Sequence, residues 1–322
     1  MTTEKGERPS KILCVGLICV DVVSITKHYP DEGSDYRLLG THWQKGGNAA
    51  NSSAVLSILG NKVDFFGAIP IPKKSDIHGT ICVGYIKDRM DYYNVGMDNV
   101  VERPGEALPF STVLINNETG SRTILHYRKG LQELLYEDFK KVDISEYSWI
   151  HFEGRNIEEV VKMIDRVVKY NDDNCHSKIT ISVELEKPRR ANSCLLLPHA
   201  DLAVISQDYA EFNGQSSAID AVDYYRAKCK KGASVVCAWG SAGAASGVAG
   251  LPKSSEMTDA FPPERVVDTL GAGDTFLAGL VHSVSRGHPL LSSVKFACRL
   301  AGCKVGFYGY EALREFNYTN GK

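Results

Sequence analysis

The stretch VVDTLGAGDTFLAGLVHSV, residues 266–284, joins a short apolar run to a longer one through a Gly-Ala-Gly turn and Asp274. A glycine turn that opens an apolar helix leaves backbone N–H groups free at the positive end of the helix, where an anion is favoured. An aspartate is a poor ligand for an anion, but it accepts the proton of a hydroxyl group well. The stretch therefore has two interpretations, a capped turn or an active site.

Strand-like and helix-like runs alternate along the rest of the chain. Continuous apolar runs, typical of strands buried on both faces, occupy residues 11–23, 63–69, 147–154, 178–186, 200–206 and 233–240. Helical patterns occupy residues 46–60, 76–93, 157–171, 217–230 and 290–306. In the first of these helices we expect Asn48 as the N-cap and Gly60 at the stop. The alternation predicts an α/β fold with a doubly wound, mainly parallel sheet flanked by helices.

Two segments interrupt this alternation. Residues 109–127, PFSTVLINNETGSRTILHY, predict a β-hairpin around NNETGS, and residues 24–43 mix turn residues with short extended pieces. We expect both to form a small β-sheet outside the main sheet, called the lid below. Its apolar side chains, Phe110, Val113, Ile115 and Ile124, are too few to form a core, so a second copy of the lid is expected to cover them.

Composition excludes several classes of protein. The 322 residues are 43% hydrophobic and 24% charged with a net charge of −2, so we expect no nucleic-acid partner and no membrane partner. The N-terminus is polar, and no run approaches the ~18 apolar residues of a membrane span. Nine cysteines without a C-x-x-C pair, most of them in apolar runs, suit a reducing compartment. These features predict a cytoplasmic protein with a flexible N-terminus (1–10) and a single domain over residues 11–322.

Polar and glycine-rich segments follow the predicted strands. In open α/β sheets, ligands gather at the carboxyl ends of the strands. The segments predicted there are Asp21, Gly46–Asn51, Glu153–Asn156, Glu184–Lys187, Gly240–Gly243 and Gly271–Asp274. We therefore expect them to meet at one edge of the sheet.

The chemistry of residues 271–274 favours phosphoryl transfer to an alcohol. Asp274 would take the hydroxyl proton as general base, and the turn would stabilise the charge on the transferred phosphoryl group. The alternative is that Asp274 only caps the helix. Other motif families do not fit, since Phe276 occupies the last glycine position of G-x-G-x-x-G and the chain contains no G-x-x-x-x-G-K-[ST].

Two strings carry a family resemblance. VVDTLGAGDTFLAGL (266–280) closely resembles the C-terminal signature of the pfkB family of carbohydrate kinases, which have the ribokinase-like fold. WQKGGNAANSSAVLSILG (43–60) resembles the N-terminal Gly-Gly-Asn signature of that family. The resemblance extends over essentially the whole chain after Ser10 and implies a sugar kinase that uses ATP and Mg²⁺. Further strings, including SRTIL (121–125), WIHFEGRN (149–156) and VELEKPR (183–189), resemble members that phosphorylate a ketose, and imply D-fructose as substrate and D-fructose 1-phosphate as product.

The resemblance also implies roles for individual residues. It makes Asp274 the catalytic base and the glycine turn the anion hole and a contact of ATP. The turn consists of Gly271, Ala272 and Gly273. The resemblance implies that the sugar is bound by Asp21, Gly47, Asn48 and Asn51. It also implies a lid arginine near the nucleotide phosphates, Arg122, and a loop beside the nucleotide that consists of Gly240, Ser241, Ala242 and Gly243.

Each of these roles has a plainer alternative. Asn48 could be an N-cap, Asn51 could lie on a solvated helix face, and Asp21 could be a turn residue at a strand end. Arg122 could be a surface charge of the hairpin. Arg155 could order the sugar or the lid, or simply pair with Glu153.

Two segments depart from the family pattern. The loop WGSAGAA (239–245) lacks the expected acidic residues, so we expect its nucleotide contacts to come mostly from backbone groups. Ser206-Gln207-Asp208-Tyr209 stands where many members carry the N-x-x-E metal-support motif. We therefore expect Mg²⁺ to be held by nucleotide phosphates and water, with Glu184 or Glu186 as outer-shell help. A K⁺ requirement stays open.

The resemblance implies a homodimer joined through the lid, in which the loop 30–36 brings an acid to the partner's sugar site. Gly33 stands at the position that aligns with that acid, so Asp31, Glu32 or Asp35 would have to substitute. Two other functions stay open. One is a ribokinase-like or nucleoside-kinase-like activity on the same fold, and the other is a catalytically inactive sugar-sensing protein.

Overall fold

The computed structural model describes residues 11–104, 107–128, 130–252 and 255–316, so the N-terminal segment 1–10 lies outside the described residues. The strands are β1 (Lys11–Val15), β2 (Cys19–Thr26), β3 (Gly40–Gly46), β4 (Lys62–Phe66), β5 (Ala68–Ile71), β6 (Val101–Pro104), β7 (Phe110–Asn116), β8 (Arg122–Tyr127), β9 (Tyr147–Glu153), β10 (Thr180–Leu185), β11 (Leu202–Ser206), β12 (Ser234–Ala238), β13 (Ala244–Val248) and β14 (Glu256–Thr258). The α-helices are α1 (Asn48–Ile58), α2 (Ile77–Tyr92), α3 (Tyr136–Phe139), α4 (Ile157–Asp173), α5 (Gln207–Phe212), α6 (Ala218–Arg226), α7 (Ala272–Ser285) and α8 (Leu290–Lys304). Short 3₁₀ helices span Ile144–Glu146, Ser193–His199, Gly240–Ala242 and Glu311–Glu315.

The main sheet has eight strands in the order β14-β13-β12-β11-β10-β9-β1-β4. The run from β12 to β4 is parallel, and β13 and β14 add antiparallel pairs at one edge. This arrangement confirms the predicted α/β fold with a doubly wound, mainly parallel sheet. The carboxyl ends of its parallel strands lie at one edge, where the functional side chains were expected.

Helices cover both faces of this sheet, because alternate residues of each strand point to opposite sides. In β1, Ile12 and Cys14 join the core under α1, α7 and α8, while Leu13 and Val15 join the core under α4 and α6. Burial on both faces explains why the strand sequences are continuously apolar.

The second sheet is the lid, with the order β3-β2-β7-β8. The predicted hairpin is present as β7 and β8. However, the prediction of one strand over residues 11–23 is wrong. Strand β1 ends at Val15. The backbone then turns, with Gly16 N donating to Phe66 O (3.0 Å) and Leu17 N donating to Glu153 Oε2 (2.9 Å).

After that break, β2 leaves the main sheet and pairs with β3 and β7 in the lid. Asp21 therefore lies in a lid strand and not at the carboxyl end of a core strand, as had been expected. The lid strands of this part of the chain are Cys19–Thr26 and Gly40–Gly46, which extends the predicted segment 24–43 at both ends.

The two faces of the lid differ in what covers them. Val113 and Ile115 are buried within the chain together with Val23 and Leu270, so these two side chains do not need a second copy to cover them. The opposite face carries the cross-strand row Trp43, Val22, Thr112 and Leu125. Trp43 and Leu125 are 38% and 56% exposed, and these outward side chains form the uncovered apolar face.

Candidate active site

A cleft of about 530 Å³ lies between the lid and the carboxyl edge of the main sheet. The predicted site residues among those that line it are Asp21, Gly47, Asn48, Asn51, Arg122, Arg155, Glu186, Gly271, Gly273 and Asp274, whereas Ala272 and Glu184 are not among the lining residues. The tertiary structure thus brings together side chains from the lid, α1, the end of β9 and the start of α7. The loop Gly240–Gly243 lies at the connection between β12 and β13, outside the residues that line this cleft.

The glycine turn opens α7 with a backbone that favours glycine. Gly271 is the N-cap with φ 75°, and a side chain there would overlap the hydroxyl group of Tyr310. The first-turn N–H groups of a helix have no intrahelical partners, so this end of the 14-residue α7 can stabilise negative charge. Asp274 is the third residue of α7 and makes no capping bond, so the interpretation of Asp274 as the N-cap is wrong.

Asp274 is almost fully enclosed. Its side chain is 8% exposed, and its Oδ2 accepts a 2.8 Å hydrogen bond from Asn51 Nδ2. Burial raises the pKa of Asp274 to about 7, against the lowering effect of the Asn51 hydrogen bond and of Lys45. A carboxyl group with a pKa near neutrality is suited to general base catalysis.

Asn51 is buried in the site and does not lie on a solvated helix face. Asn51 is 4% exposed, and its two amide atoms both have partners in the protein. Lys45 Nζ donates to Asn51 Oδ1 at 2.7 Å, while Asn51 Nδ2 donates to Asp274. One N–H of the Asn51 amide is left for a ligand in the cleft.

Lys45 is a buried residue of the site that was not predicted from the sequence. It is 2% exposed at the end of β3, and burial lowers its pKa to about 8. The available signal was a lysine that stands in a strand directly before the Gly46-Gly47 pair. A lysine is almost never fully buried unless its ammonium group is paired, but the sequence does not indicate that this one is buried.

Asn48 links two carboxylates beside the cleft. It is the first residue of α1, with Gly47 as the N-cap, so the prediction of Asn48 as the N-cap is wrong. Its Nδ2 donates to Glu184 Oε2 (3.1 Å) and Glu186 Oε2 (2.8 Å). Burial, and next the charge of Glu186, raise the pKa of Glu184.

The described residues contain no group of three or more His, Cys, Asp or Glu side chains that could hold a metal ion by themselves. Glu186 already pairs with Lys187 Nζ at 2.7 Å, and the two adjacent carboxylates still suit outer contacts to a hydrated cation. The site therefore fits an ion that takes most of its ligands from water and a bound substrate.

Arg155 pairs with acids on both sides. Its guanidinium donates to Glu153 Oε1 (3.2 Å) and to Glu133 Oε1 (3.0 Å), which favours the pairing interpretation, although Arg155 also lines the cleft. Burial alone would raise the pKa of Glu153, but Arg155 and Arg190 hold it below its usual value. Glu153 also accepts the N–H of Leu17, so this ion cluster fixes the break between β1 and the lid.

Arg122 and Asp21 reach the cleft from the lid. Arg122 Nη1 donates to Thr269 Oγ1 at 2.7 Å, so this arginine bridges from the lid to the chain just before the glycine turn. Asp21 is 6% exposed, and burial raises its pKa. A side chain at Gly46 would overlap the Asp21 carboxylate, which explains the first glycine of the pair. Ser111 and His126, which lie opposite Asp21 in the lid register, also line the cleft and were missed.

The described part of the chain has no helix that is both long and apolar enough to cross a membrane. All nine cysteines are free.

Comparisons with known proteins agree with this geometry. The sequence profile of the pfkB family carbohydrate kinases matches residues 9–313. Mouse ketohexokinase is 39% identical over 310 residues, which cover 94% of this chain and 98% of the mouse protein. The resemblance to ketohexokinase within the pfkB family is thereby confirmed.

Solved structures support the ribokinase-like fold. Ribokinase from Giardia lamblia superimposes with a TM-score of 0.77 at 15% identity, covering 94% of this chain and 96% of that one. A nucleoside kinase from Burkholderia thailandensis, solved with inosine, gives a TM-score of 0.69 at 13% identity, covering 94% and 91% of the two chains. Identities this low concern the fold alone.

Proposed function

The chain belongs to the pfkB family of carbohydrate kinases, and on that premise we propose that it transfers the γ-phosphoryl group of ATP to the 1-hydroxyl group of a ketose. Among ketoses we propose D-fructose as the substrate, so that the product is D-fructose 1-phosphate. The observation that carries the proposal is the buried carboxylate of Asp274, hydrogen-bonded to Asn51 at the start of α7. The sequence similarity to mouse ketohexokinase supports the choice of a ketose.

In the proposed mechanism Asp274 accepts the proton of the attacking hydroxyl group. The new bond forms between that oxygen and the γ-phosphorus, and the bond from phosphorus to the bridging oxygen of ADP breaks. The N–H groups at Gly271, Ala272 and Gly273 stabilise the negative charge on the transferred phosphoryl group.

The sugar would be held by side chains that both donate and accept hydrogen bonds. Asp21, Asn48 and Asn51 line the cleft together with Gly47, and such groups suit a polyol. Arg155 extends the same wall. We assign these residues to the ketose and place its 1-hydroxyl group beside Asp274.

ATP would lie over the glycine turn. Arg122, fixed to Thr269 beside that turn, is suited to the phosphates. The connection Gly240–Gly243 has φ 98° at Gly243, where a side chain would overlap the Thr258 carbonyl, and we assign its backbone to the nucleotide's other end. Mg²⁺, when bound with ATP, would neutralise charge on the phosphates, and Glu184 and Glu186 would hold its water ligands. A K⁺ requirement is tested by replacing K⁺ with Na⁺ in the assay.

A coupled assay of ADP release tests the proposal across D-fructose, D-tagatose, D-ribose and adenosine. We expect the highest kcat/KM with a ketose. A preference for ribose or adenosine would instead support the ribokinase-like or nucleoside-kinase-like alternative on this fold. No ADP release with any sugar would support a sugar-sensing protein.

We also propose a homodimer joined through the outer face of the lid. The exposed side chains Trp43 and Leu125 support it, and so does Tyr127, which is 53% exposed. Asp31, Glu32 and Asp35 are exposed in the loop 30–36, and the Asp31 carboxylate accepts a hydrogen bond from Tyr36 Oη (3.2 Å) within that loop. We propose that one of these three acids extends toward a partner's cleft. The nine free cysteines support a cytoplasmic location, which we also propose.

A further inference from the structure

We propose that Lys45 is a positioning residue for the transfer: its ammonium group fixes the Asn51 amide so that the NH₂ group faces Asp274, and its positive charge favours the ionised form of the Asp274 carboxylate. This inference rests on the proposed role of Asp274 as base. It adds a residue from the lid strand β3, outside the glycine turn and outside the sugar-binding set.

Hydrogen bonds join Lys45 to Asp274 through Asn51. Lys45 Nζ, the Asn51 amide and the Asp274 carboxylate form one chain of hydrogen bonds of 2.7 Å and 2.8 Å. An Asn51 amide turned by a half rotation would place its oxygen against the carboxylate and its NH₂ group against the ammonium, which is repulsive at both ends. The ammonium group therefore selects one orientation of Asn51, and both bonds are strengthened because each has one charged partner.

Several charged groups surround Asp274. Glu186, which follows β10, and Glu153 of β9 raise the pKa of Asp274, while Lys45 lowers it. Two further acids face this site, Glu184 from the main sheet and Asp21 from the lid. Behind the glycine turn lie Lys304 of α8 and Tyr310. Among these groups Lys304 is held by Asp268, with Nζ–Oδ2 at 2.6 Å. Of the cations that line the cleft, Lys187 pairs with Glu186, and Arg155 and Arg190 pair with Glu153. Lys45 is the ammonium group that bonds the Asn51–Asp274 pair.

Burial lowers the pKa of Lys45 to about 8, but two aromatic rings beside it favour its charged form. Its Nζ lies 5.9 Å from the ring centroid of Tyr93 and 5.8 Å from that of Tyr310, which favours a cation. A cavity of about 280 Å³ borders Lys45 on the side of Tyr85 and Arg89. Arg89 pairs with Glu311, so the acid nearest to that cavity is already taken. The cavity also leaves room for a longer arginine side chain.

The experiment compares Lys45→Met, Lys45→Arg and the control Lys62→Met. Methionine keeps most of the buried stem but removes the charge, and Lys62 is an exposed lysine at the opposite end of the parallel strands. We expect Lys45→Met to lower kcat by roughly 10- to 100-fold and to move the acid limb of the kcat/KM profile to higher pH by about one pH unit. Lys45→Arg should restore most of both values, and Lys62→Met should match the wild type.

A second readout does not depend on turnover. The Asp274 carboxyl group is followed by ¹³C NMR through a pH titration, with Asp274→Asn used to assign its signal. In Lys45→Met we expect the carboxyl group to titrate at higher pH than in the wild type. An unchanged titration in a folded Lys45→Met protein, or an equal loss of kcat in Lys45→Arg and Lys45→Met, would overturn the inference.

These outcomes separate the inference from the proposed function. A wild-type protein without ketose kinase activity would refute the proposed function, and the NMR comparison would still report on Lys45. An active wild type that is inactivated by Asp274→Asn but unaffected by Lys45→Met would leave the proposed function intact and overturn the role of Lys45 alone.

Discussion

Asn51 and Asp274 are joined by a 2.8 Å hydrogen bond although 223 positions separate them in the chain. The bond connects the first turn of α1 with the first turn of α7, and so it connects the two segments that carry the family signatures. Asn51 and Asp274 are only 4% and 8% exposed, and both line the cleft. The pair makes the amide-bearing helix and the helix with the anion-binding turn a single site.

We expect Asp274→Asn to fold normally and to lower kcat by roughly 10²- to 10⁴-fold, because an amide cannot accept the hydroxyl proton. The measurement is steady-state ADP release with D-fructose, alongside thermal unfolding. Asp220→Asn is the matched control, since Asp220 is also the third residue of its helix, α6, but is far from the cleft. Unchanged turnover in Asp274→Asn would reduce this aspartate to a structural residue.

The activity should depend on pH with an acid limb near pH 7. Burial raises the pKa of Asp274 to about 7, and the base must be deprotonated, so kcat/KM should fall as the pH is lowered through that value. Below it we expect a loss of about tenfold per pH unit. A profile that stays flat down to pH 5 would mean that the group that limits the reaction titrates as an ordinary carboxyl group.

Asn48→Ala and Asn51→Ala should weaken use of the ketose more than use of ATP. Each change removes an amide that would bond a sugar hydroxyl group, and the hydroxyl group left unpaired costs about 1–3 kcal/mol, or roughly 5- to 150-fold in kcat/KM for the sugar. The KM for ATP serves as the internal control. If both substrates suffer equally, the asparagines support folding and do not hold the sugar.

Lys304→Met should destabilise the protein strongly. Lys304 is fully buried, and its Nζ donates to Asp268 Oδ2 at 2.6 Å and to Asp268 O at 3.0 Å. Without it a charged carboxylate stays buried and unpaired, which costs about 3–5 kcal/mol in the free energy of unfolding, measured by urea denaturation.

Two further variants test this explanation. Adding Asp268→Asn to Lys304→Met should recover much of the loss, because the amide oxygen can still accept the N–H of Leu270 without a charge. The exposed pair Lys87–Glu102 provides the control, and Lys87→Met should cost less than about 1 kcal/mol. A small effect of Lys304→Met would show that Asp268 becomes neutral or finds another partner.

The lid should join two copies of the chain. Light scattering at micromolar concentration should give about twice the chain mass of 35.3 kDa. Leu125→Arg, on the outer face of the lid, should shift the protein toward the monomer because it buries a charge in the interface. Leu195→Arg is a control at another exposed leucine, 52% exposed. A fully active monomer would mean that the lid covers only its own cleft.

The sequence alone determined the class of the fold and the segments that carry the chemistry. Buried parallel strands must be continuously apolar, and helix α4, predicted over residues 157–171, runs over Ile157–Asp173 as its 3.6-residue period requires. The hairpin at 109–127 was likewise predicted, because two extended runs flank a turn-rich segment. Such patterns are local, and local physics governs them.

Only the tertiary structure decided where the chain leaves the main sheet and which side chains meet. Residues 11–23 have the apolar pattern of a single strand, yet the chain turns at Gly16. The turn forms because the N–H groups of Gly16 and Leu17 donate to Phe66 and Glu153, which are distant in sequence. That turn carries Asp21 into the lid. Lys45 is an ordinary charged residue in the sequence, and it is buried only because Asn51 and two tyrosine rings enclose it. The burial of a charged side chain and its pairing with another residue depend on contacts between distant segments. The hydrophobic periodicity of the sequence contains no information about such contacts.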